Sequence, residues 1–240
     1  GEEAGCEGAY HLARQKALLP PRVGALIVGE PTGNYPLVGH KGAMWVRAKT
    51  EGVAAHGSMP HKGVNAIYKA VNLISRLQQY EFNVPPHSIL GEPTINIGTI
   101  SGGTGINIVP DEVVVGIDIR TIPPQTHERL LKDLQAFLGQ DVTLEPVVSA
   151  ESIATDPDNG WLREVFEIMT GFLEETPLPR AATYFTDASA LAPALAKPPT
   201  LILGPGEPDM AHKTDEFCLV HKIEEGAEAY FEIARRWCGI

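Results

Sequence analysis

Five side chains are best placed to do chemistry. They are the adjacent carboxylates Glu2 and Glu3, a third carboxylate, Glu30, that follows an apolar run, and two histidines, His56 and His212. Carboxylate and imidazole are the ligand types of zinc, cobalt and manganese. A hydrolytic metal site keeps one position open for water and lowers the pKa of that water towards ~7. A nearby uncoordinated carboxylate can take the proton as the water attacks and pass it to the leaving amine. An acidic pair can divide this labour, one member as base and the other as ligand. Taken alone, the pair is also what a helix start collects, because the helix dipole favours negative charge there.

The elements that must carry these groups fall into two styles. Ala4 to Leu18 reads as a helix stopped by Pro20-Pro21. Val23 to Val28 is wholly apolar, the pattern of a strand buried on both faces of a parallel sheet. Glu30 then lies at the carboxyl end of that strand, the edge where open α/β sheets bind ligands. Pro31 holds it extended.

From Met44 the pattern changes. Residues 44–51 alternate, a loop over 52–63 holds His56 and His61, and Val64, Ile67, Ala70, Val71, Ile74 and Leu77 recur at helical spacing. Ile95, Ile97 and Ile100 suggest a strand, and Val113, Val115, Ile117 and Ile119 alternate strictly. Residues 126–138 form a second amphipathic helix, and Val142, Leu144 and Pro146 a closing strand. The order β-α-β-β-α-β predicts an α+β unit with its helices on one face of an antiparallel sheet. The edges and open face of such a sheet make pairing with another chain plausible.

After residue 150 the α/β style returns. A helix is expected over Trp161–Leu173, a strand over Ala181–Phe185 and a strand-to-helix turn over Thr186–Leu191. A buried strand over Thr200–Leu203 ends in Gly204-Pro205-Gly206. A terminal helix over Ile223–Trp237 should turn Ala227, Tyr230, Phe231 and Ala234 inward. Residues 1–35 and 150–240 therefore read as one α/β domain, interrupted by an inserted α+β domain at 36–149.

Composition narrows the function. A net charge of -11 with no basic stripe argues against nucleic acid. No apolar run is long enough to span a bilayer, so no membrane role is expected. Three scattered cysteines form no disulfide framework and point to a reducing cytoplasm. Cys6 reads as a packing residue. His11, His40, His61, His87, His127 and His221 read as structural or exposed. For Asn107 and Arg120 two readings stay open: substrate contacts, or a brace for the turn before Pro110 and a partner for Asp118.

Seven stretches, in this order, carry a resemblance. They are GEEAGCEGA at 1–9, GEPTG at 29–33, KGAMWVRAKTEGVAAHGSMPHKGVNAI at 41–67, GGTGINIVPDE at 102–112, DIRTIP at 118–123, TDA at 186–188 and AHKTDE at 211–216. Together the chain resembles the co-catalytic zinc aminoacylase and carboxypeptidase family, which includes acetylornithine deacetylase and succinyl-diaminopimelate desuccinylase. The resemblance implies a zinc-peptidase-like catalytic domain interrupted by a lid or dimerisation domain. It implies Glu2 as general base, Glu3 and His212 as ligands of one metal and Glu30 as ligand of the other. His56 would steady the oxyanion in a partner subunit's site, so a homodimer is implied. Asn107 and Arg120 would contact substrate, Arg120 its carboxylate, for which a guanidinium fork is suited. Thr186, Asp187, Gly204 and Gly206 would line the substrate-side wall.

The same resemblance exposes a departure. The family's His-x-Asp motif and metal-bridging aspartate precede the acidic pair and are not among these 240 residues. The expectation is therefore the C-terminal part of a longer two-metal (zinc or cobalt) enzyme. Taken alone, such a part would bind metal poorly and lack activity. The expected reaction is removal of an N-acyl group from a small amino acid. The alternatives are a carboxypeptidase or dipeptidase of the same family, or a non-catalytic dimerisation module.

Overall fold

The computed structural model describes residues 5–240. Glu2 and Glu3 lie outside the described residues. In chain order the elements are α1 (Glu7–Arg14), β1 (Leu26–Val28), β2 (Leu37–His40), β3 (Gly42–Glu51), β4 (Ala55–His56), α2 (Ala66–Leu77), β5 (Thr94–Gly102), β6 (Ile108–Val109) and β7 (Glu112–Thr121). They continue with α3 (His127–Leu138), β8 (Val142–Ala150), β9 (Ile153–Ala154), α4 (Gly160–Leu173), β10 (Arg180–Ala182), α5 (Ala188–Ala194), β11 (Thr200–Ile202) and α6 (Val220–Trp237). Two compact units result. One takes the chain up to Lys41, Ser88–Leu90 and Ser152–Ile240; the other takes Gly42–His87 and Gly91–Glu151. These limits differ from the sequence expectation of 35/36 and 149/150, because β2 hydrogen-bonds into the sheet of the first unit.

The first unit holds a mixed sheet of order β1-β11-β2-β10, with β9 also on β2. β1 runs parallel to β11 and β10 parallel to β2, while β11 and β2 are antiparallel. Val38, Leu201 and Leu203 pack with Leu162, Val165 and Met169 of α4 and Ala229 and Ile233 of α6. Helix α4 starts where it does because the Asn159 carboxamide oxygen accepts the N–H of Trp161 at 3.1 Å and of Leu162 at 3.5 Å.

Several expectations need correction here. β1 is three residues long and half-buried at the end of the sheet, not a strand buried on both faces. Helix α1 stops at Arg14, and Lys16–Leu18 is a separate 3-10 turn, because Gln15 leaves helical geometry. β10 ends at Ala182, and the chain bends at Thr183-Tyr184. In α6 the buried residues are Gly226, Ala229 and Ile233, while Phe231 is exposed. Of the residues expected to face inward, Tyr230 packs against this unit's core, while Ala227 and Ala234 are exposed with Phe231.

The second unit is the β-α-β-β-α-β arrangement, with β4 and β6 added as a small two-stranded sheet. Its main sheet is antiparallel throughout, in the order β5-β7-β3-β8. Val113, Val115, Ile117 and Ile119 of β7 are all buried. They meet Ala66, Ala70, Leu73 and Leu77 of α2 and Leu130, Leu134 and Leu138 of α3 in one core. A register shift between Ile97 and Thr99 brings Ile100 opposite Val115, which explains the three-residue step in the isoleucine pattern. In α2 the expected Ala70, Ile74 and Leu77 join this core, while Ile67 and Val71, like Val64 just before the helix, are exposed.

Candidate functional site

The carboxyl ends of β1 and β11 lie side by side, and the two loops that leave them lock together. The Thr32 hydroxyl donates to the Gly204 carbonyl at 3.2 Å and accepts the Gly204 N–H at 3.1 Å. That carbonyl also accepts the N–H of Asn34 at 2.8 Å, and Gly33 N–H donates to the Gly206 carbonyl at 2.7 Å. A Cβ on Gly204 would lie 2.4 Å from the Glu30 carbonyl oxygen, and one on Gly206 would lie 2.7 Å from Pro31 Cβ. Glycine at both positions is therefore dictated by close backbone approach.

Glu30 is held in this knot, half-buried. The Tyr184 hydroxyl donates to the Pro31 carbonyl at 3.3 Å. Burial, reinforced by the Glu30 charge, pushes the Tyr184 phenol up to about 12. Tyr184 thus stays a neutral donor beside a carboxylate at physiological pH.

The other candidates of this unit are more scattered. Thr186 is buried, and its hydroxyl accepts the Ala188 N–H at 3.1 Å, closing the turn into α5. Asp187 is half-buried at the start of that helix. His212 lies exposed in the loop before α6 with φ 61, and its N–H donates to Glu216 Oε2 at 3.1 Å.

In the second unit, His56 and Asn107 come together. β4 pairs with β6 through His56 and Ile108, and Gly57 N–H donates to the Asn107 carbonyl at 2.7 Å. Both residues are exposed. Arg120 is elsewhere. β4 follows the Glu51 end of β3 and β6 precedes the Glu112 end of β7, whereas Arg120 pairs with Ala43 at the opposite end. The eight residue steps from Glu112 to Arg120 span about 27 Å of strand. Arg120 is held there by Asp118, with Nε 3.0 Å from Oδ1 and Nη2 3.0 Å from Oδ2.

Thr32, Tyr184 and Ser58 are site residues that sequence reasoning missed. Thr32 lies within the GEPTG stretch, and Ser58 follows His56 by two, so each had a local signal. Tyr184 had none, because its partner Pro31 is 153 residues away.

A dinuclear hydrolytic site needs three or more protein donors around each catalytic metal position, with room for water. Glu30 and His212 have the right chemistry and belong to the same unit. Among the described residues, however, no group of three His, Cys, Asp or Glu side chains gathers as a metal site would require. The described donors alone do not make up such a site; Glu2 and Glu3, the other candidate carboxylates, lie outside them.

Comparison with known proteins agrees with the architecture. Residues 38–142 match the family model of the peptidase dimerisation domain. A probable succinyl-diaminopimelate desuccinylase of Staphylococcus epidermidis is 31% identical over 90% of this chain and 60% of its own length. Acetylornithine deacetylase of Proteus mirabilis is also 31% identical, over 99% of this chain and 62% of its own. The crystal structure of a tripeptidase from Staphylococcus aureus superposes with a TM-score of 0.73 at 25% identity, covering 97% of this chain and 61% of the other. The chain thus spans about 60% of the length of the curated relatives it matches.

Proposed function

Because the chain belongs to the M20 peptidase family of metallo-hydrolases, we propose that it supplies the lid and much of the catalytic wall of a metal-dependent amidohydrolase that removes an N-acyl group from an amino acid. The observation that carries this reading is the locked pair of loops at the carboxyl edge of β1 and β11. It fixes Glu30 at the edge where α/β sheets bind ligands, beside the neutral donor Tyr184.

When bound, two divalent ions, zinc or cobalt, would polarise the acyl carbonyl and acidify water. Glu30 would be a ligand of one, and Glu3 and His212 ligands of the other. Glu2 would move the proton from water to the leaving amine. Gly204, Gly206, Thr186 and Asp187 would shape the wall on the substrate side.

His56 and Asn107 on one side, and Arg120 on the other, lie at opposite ends of the sheet in the second unit. One small substrate cannot bridge that length of strand, so we assign the two groups to sites in different copies of a homodimer. Val64 and the exposed apolar face of α2 (Ile67, Tyr68 and Val71), with the terminal strand β5, offer the surface for it. Cys6, Cys218 and Cys238, none of them in a disulfide, suit a reducing cytoplasm. No helix among the described residues is long and apolar enough to cross a membrane.

The test is hydrolysis of N-acetylornithine and N-succinyl-diaminopimelate with added zinc or cobalt. The 240-residue chain alone should not turn over, and full turnover would overturn the incomplete-site reading. In a chain extended to the length of the relatives, Glu2→Gln should lower kcat by about 10³-fold or more, with metal content unchanged. The likeness to a tripeptidase favours a second reading, cleavage of a short peptide. Preference for a tripeptide over the N-acyl amino acids would select it.

A further inference from the structure

His56 and Ser58 stand two residues apart, and their geometry fixes the position of a proton. The Ser58 backbone N–H donates to His56 Nδ1 at 3.1 Å. An N–H can only donate, so Nδ1 must offer its lone pair, and the neutral ring carries its proton on Nε2. Ser58 Oγ lies 2.7 Å from the same nitrogen. With Nδ1 as acceptor, the hydroxyl donates as well, and one residue places two donors on one ring nitrogen.

The backbone around the pair is firmly held. His56 pairs with Ile108 across β4 and β6, Gly57 N–H donates to the Asn107 carbonyl, and Met59 N–H donates to the His56 carbonyl at 2.8 Å. A Cβ at residue 57 would lie 2.9 Å from the Asn107 carbonyl carbon and oxygen, so glycine is what lets this turn close. His56 itself is exposed.

We propose that Ser58 is a positioning residue that fixes His56 as the Nε2–H tautomer, so that the exposed loop presents a hydrogen-bond donor. The purpose of this arrangement rests on the oxyanion reading of His56. A group that steadies a developing oxyanion must donate to it, and the opposite tautomer would turn a lone pair towards negative charge. The tautomer itself does not depend on that reading.

The experiment uses the 240-residue chain, labelled with nitrogen-15, at a pH where the ring is neutral. Two-bond proton–nitrogen correlations of the imidazole report the ratio of Nε2–H to Nδ1–H. The wild type should be Nε2–H. Ser58→Ala removes only the hydroxyl, which can accept from Nδ1–H as readily as donate to Nδ1, so the Nε2–H form should stay dominant. Ser58→Pro removes the backbone donor, so the ratio should fall about fivefold, the loss of one ordinary hydrogen bond. An Nδ1–H wild type, a dominant Nδ1–H form in Ser58→Ala, or an unchanged ratio in Ser58→Pro would overturn the proposal. No substrate or metal enters the measurement. A failed tautomer test therefore leaves the deacylase reading standing, and absent turnover leaves the tautomer assignment standing.

Discussion

The two units are held together by different means. In the second, β3 and β7 pair without interruption over ten residues, and each pair repeats the same alternation. In the first, β1 and β11 share three pairs, and the structure beyond them depends on loop-to-loop contacts such as Thr32 with Gly204. One unit spreads its specification along regular strands. The other concentrates it at a few close approaches, beside the candidate chemistry. Two histidines also contrast. His40 of the first unit is fully buried, with Nδ1 donating to the Lys41 carbonyl at 2.8 Å, whereas His56 of the second is exposed with its Nδ1 accepting.

The strongest challenge to this contrast is Ile119→Ala. Ile119 is fully buried in β7, opposite Met44 and Ile95. Its truncation should cost about 4 kcal/mol, read as a lower urea midpoint. A loss under about 1 kcal/mol would mean that the regular unit is not held by its alternating core.

Acid should then act through the buried histidine of the first unit. Burial lowers the His40 pKa to about 4 from an ordinary 6.5. Between those values the unfolded chain takes a proton that the native ring refuses. Stability is therefore intact above pH 6.5 and falls as pH drops towards 4, by about 3 kcal/mol in all. Urea midpoints measured across that range should fall less steeply for His40→Gln than for wild type. Burial also lowers the His127 pKa in the second unit, against the opposing charge of Glu151, so some slope should survive in the variant. Parallel slopes would sink the assignment to His40.

The smallest effect sharpens the account of the loop knot. Thr32→Val keeps the shape and leaves the buried Gly204 N–H without its acceptor. The expected cost is about 2 kcal/mol by urea unfolding, most of it recovered in Thr32→Ser. A neutral Thr32→Val would show that the knot is held by Asn34 and Gly33 instead.

What could be read in advance follows the same division. The strict alternation of Val113 to Ile119 announces β7, because a half-buried strand repeats its pattern every two residues. The faces of α2 and α6 are only half legible, because packing decides which apolar residues turn inward: Ala70, Ile74, Leu77 and Tyr230 meet a core, whereas Ile67, Val71 and Phe231 are exposed. Glu30 and the Gly204 turn were legible because a strand end and a glycine-proline turn are local signals. The Thr32 and Tyr184 contacts join residues 172 and 153 positions apart, and no local pattern encodes such partners. The pairing of Arg120 with Asp118 was one of two open readings, and the structure makes that ion pair.

The second unit's sheet ends in two unlike strands. β8 carries Glu145, Pro146 and a register irregularity facing β3, devices that discourage a further strand from adding. β5, Thr94–Gly102, has neither a charged residue nor a proline. An unguarded strand of this kind is a template for aggregation whenever nothing covers it. Handling of the protein should therefore depend on concentration in an unusual sense. If the proposed homodimer forms through β5, dilution that strips the partner away would expose the sticky edge, and a lysine placed at Thr99 would act as a solubilising gatekeeper.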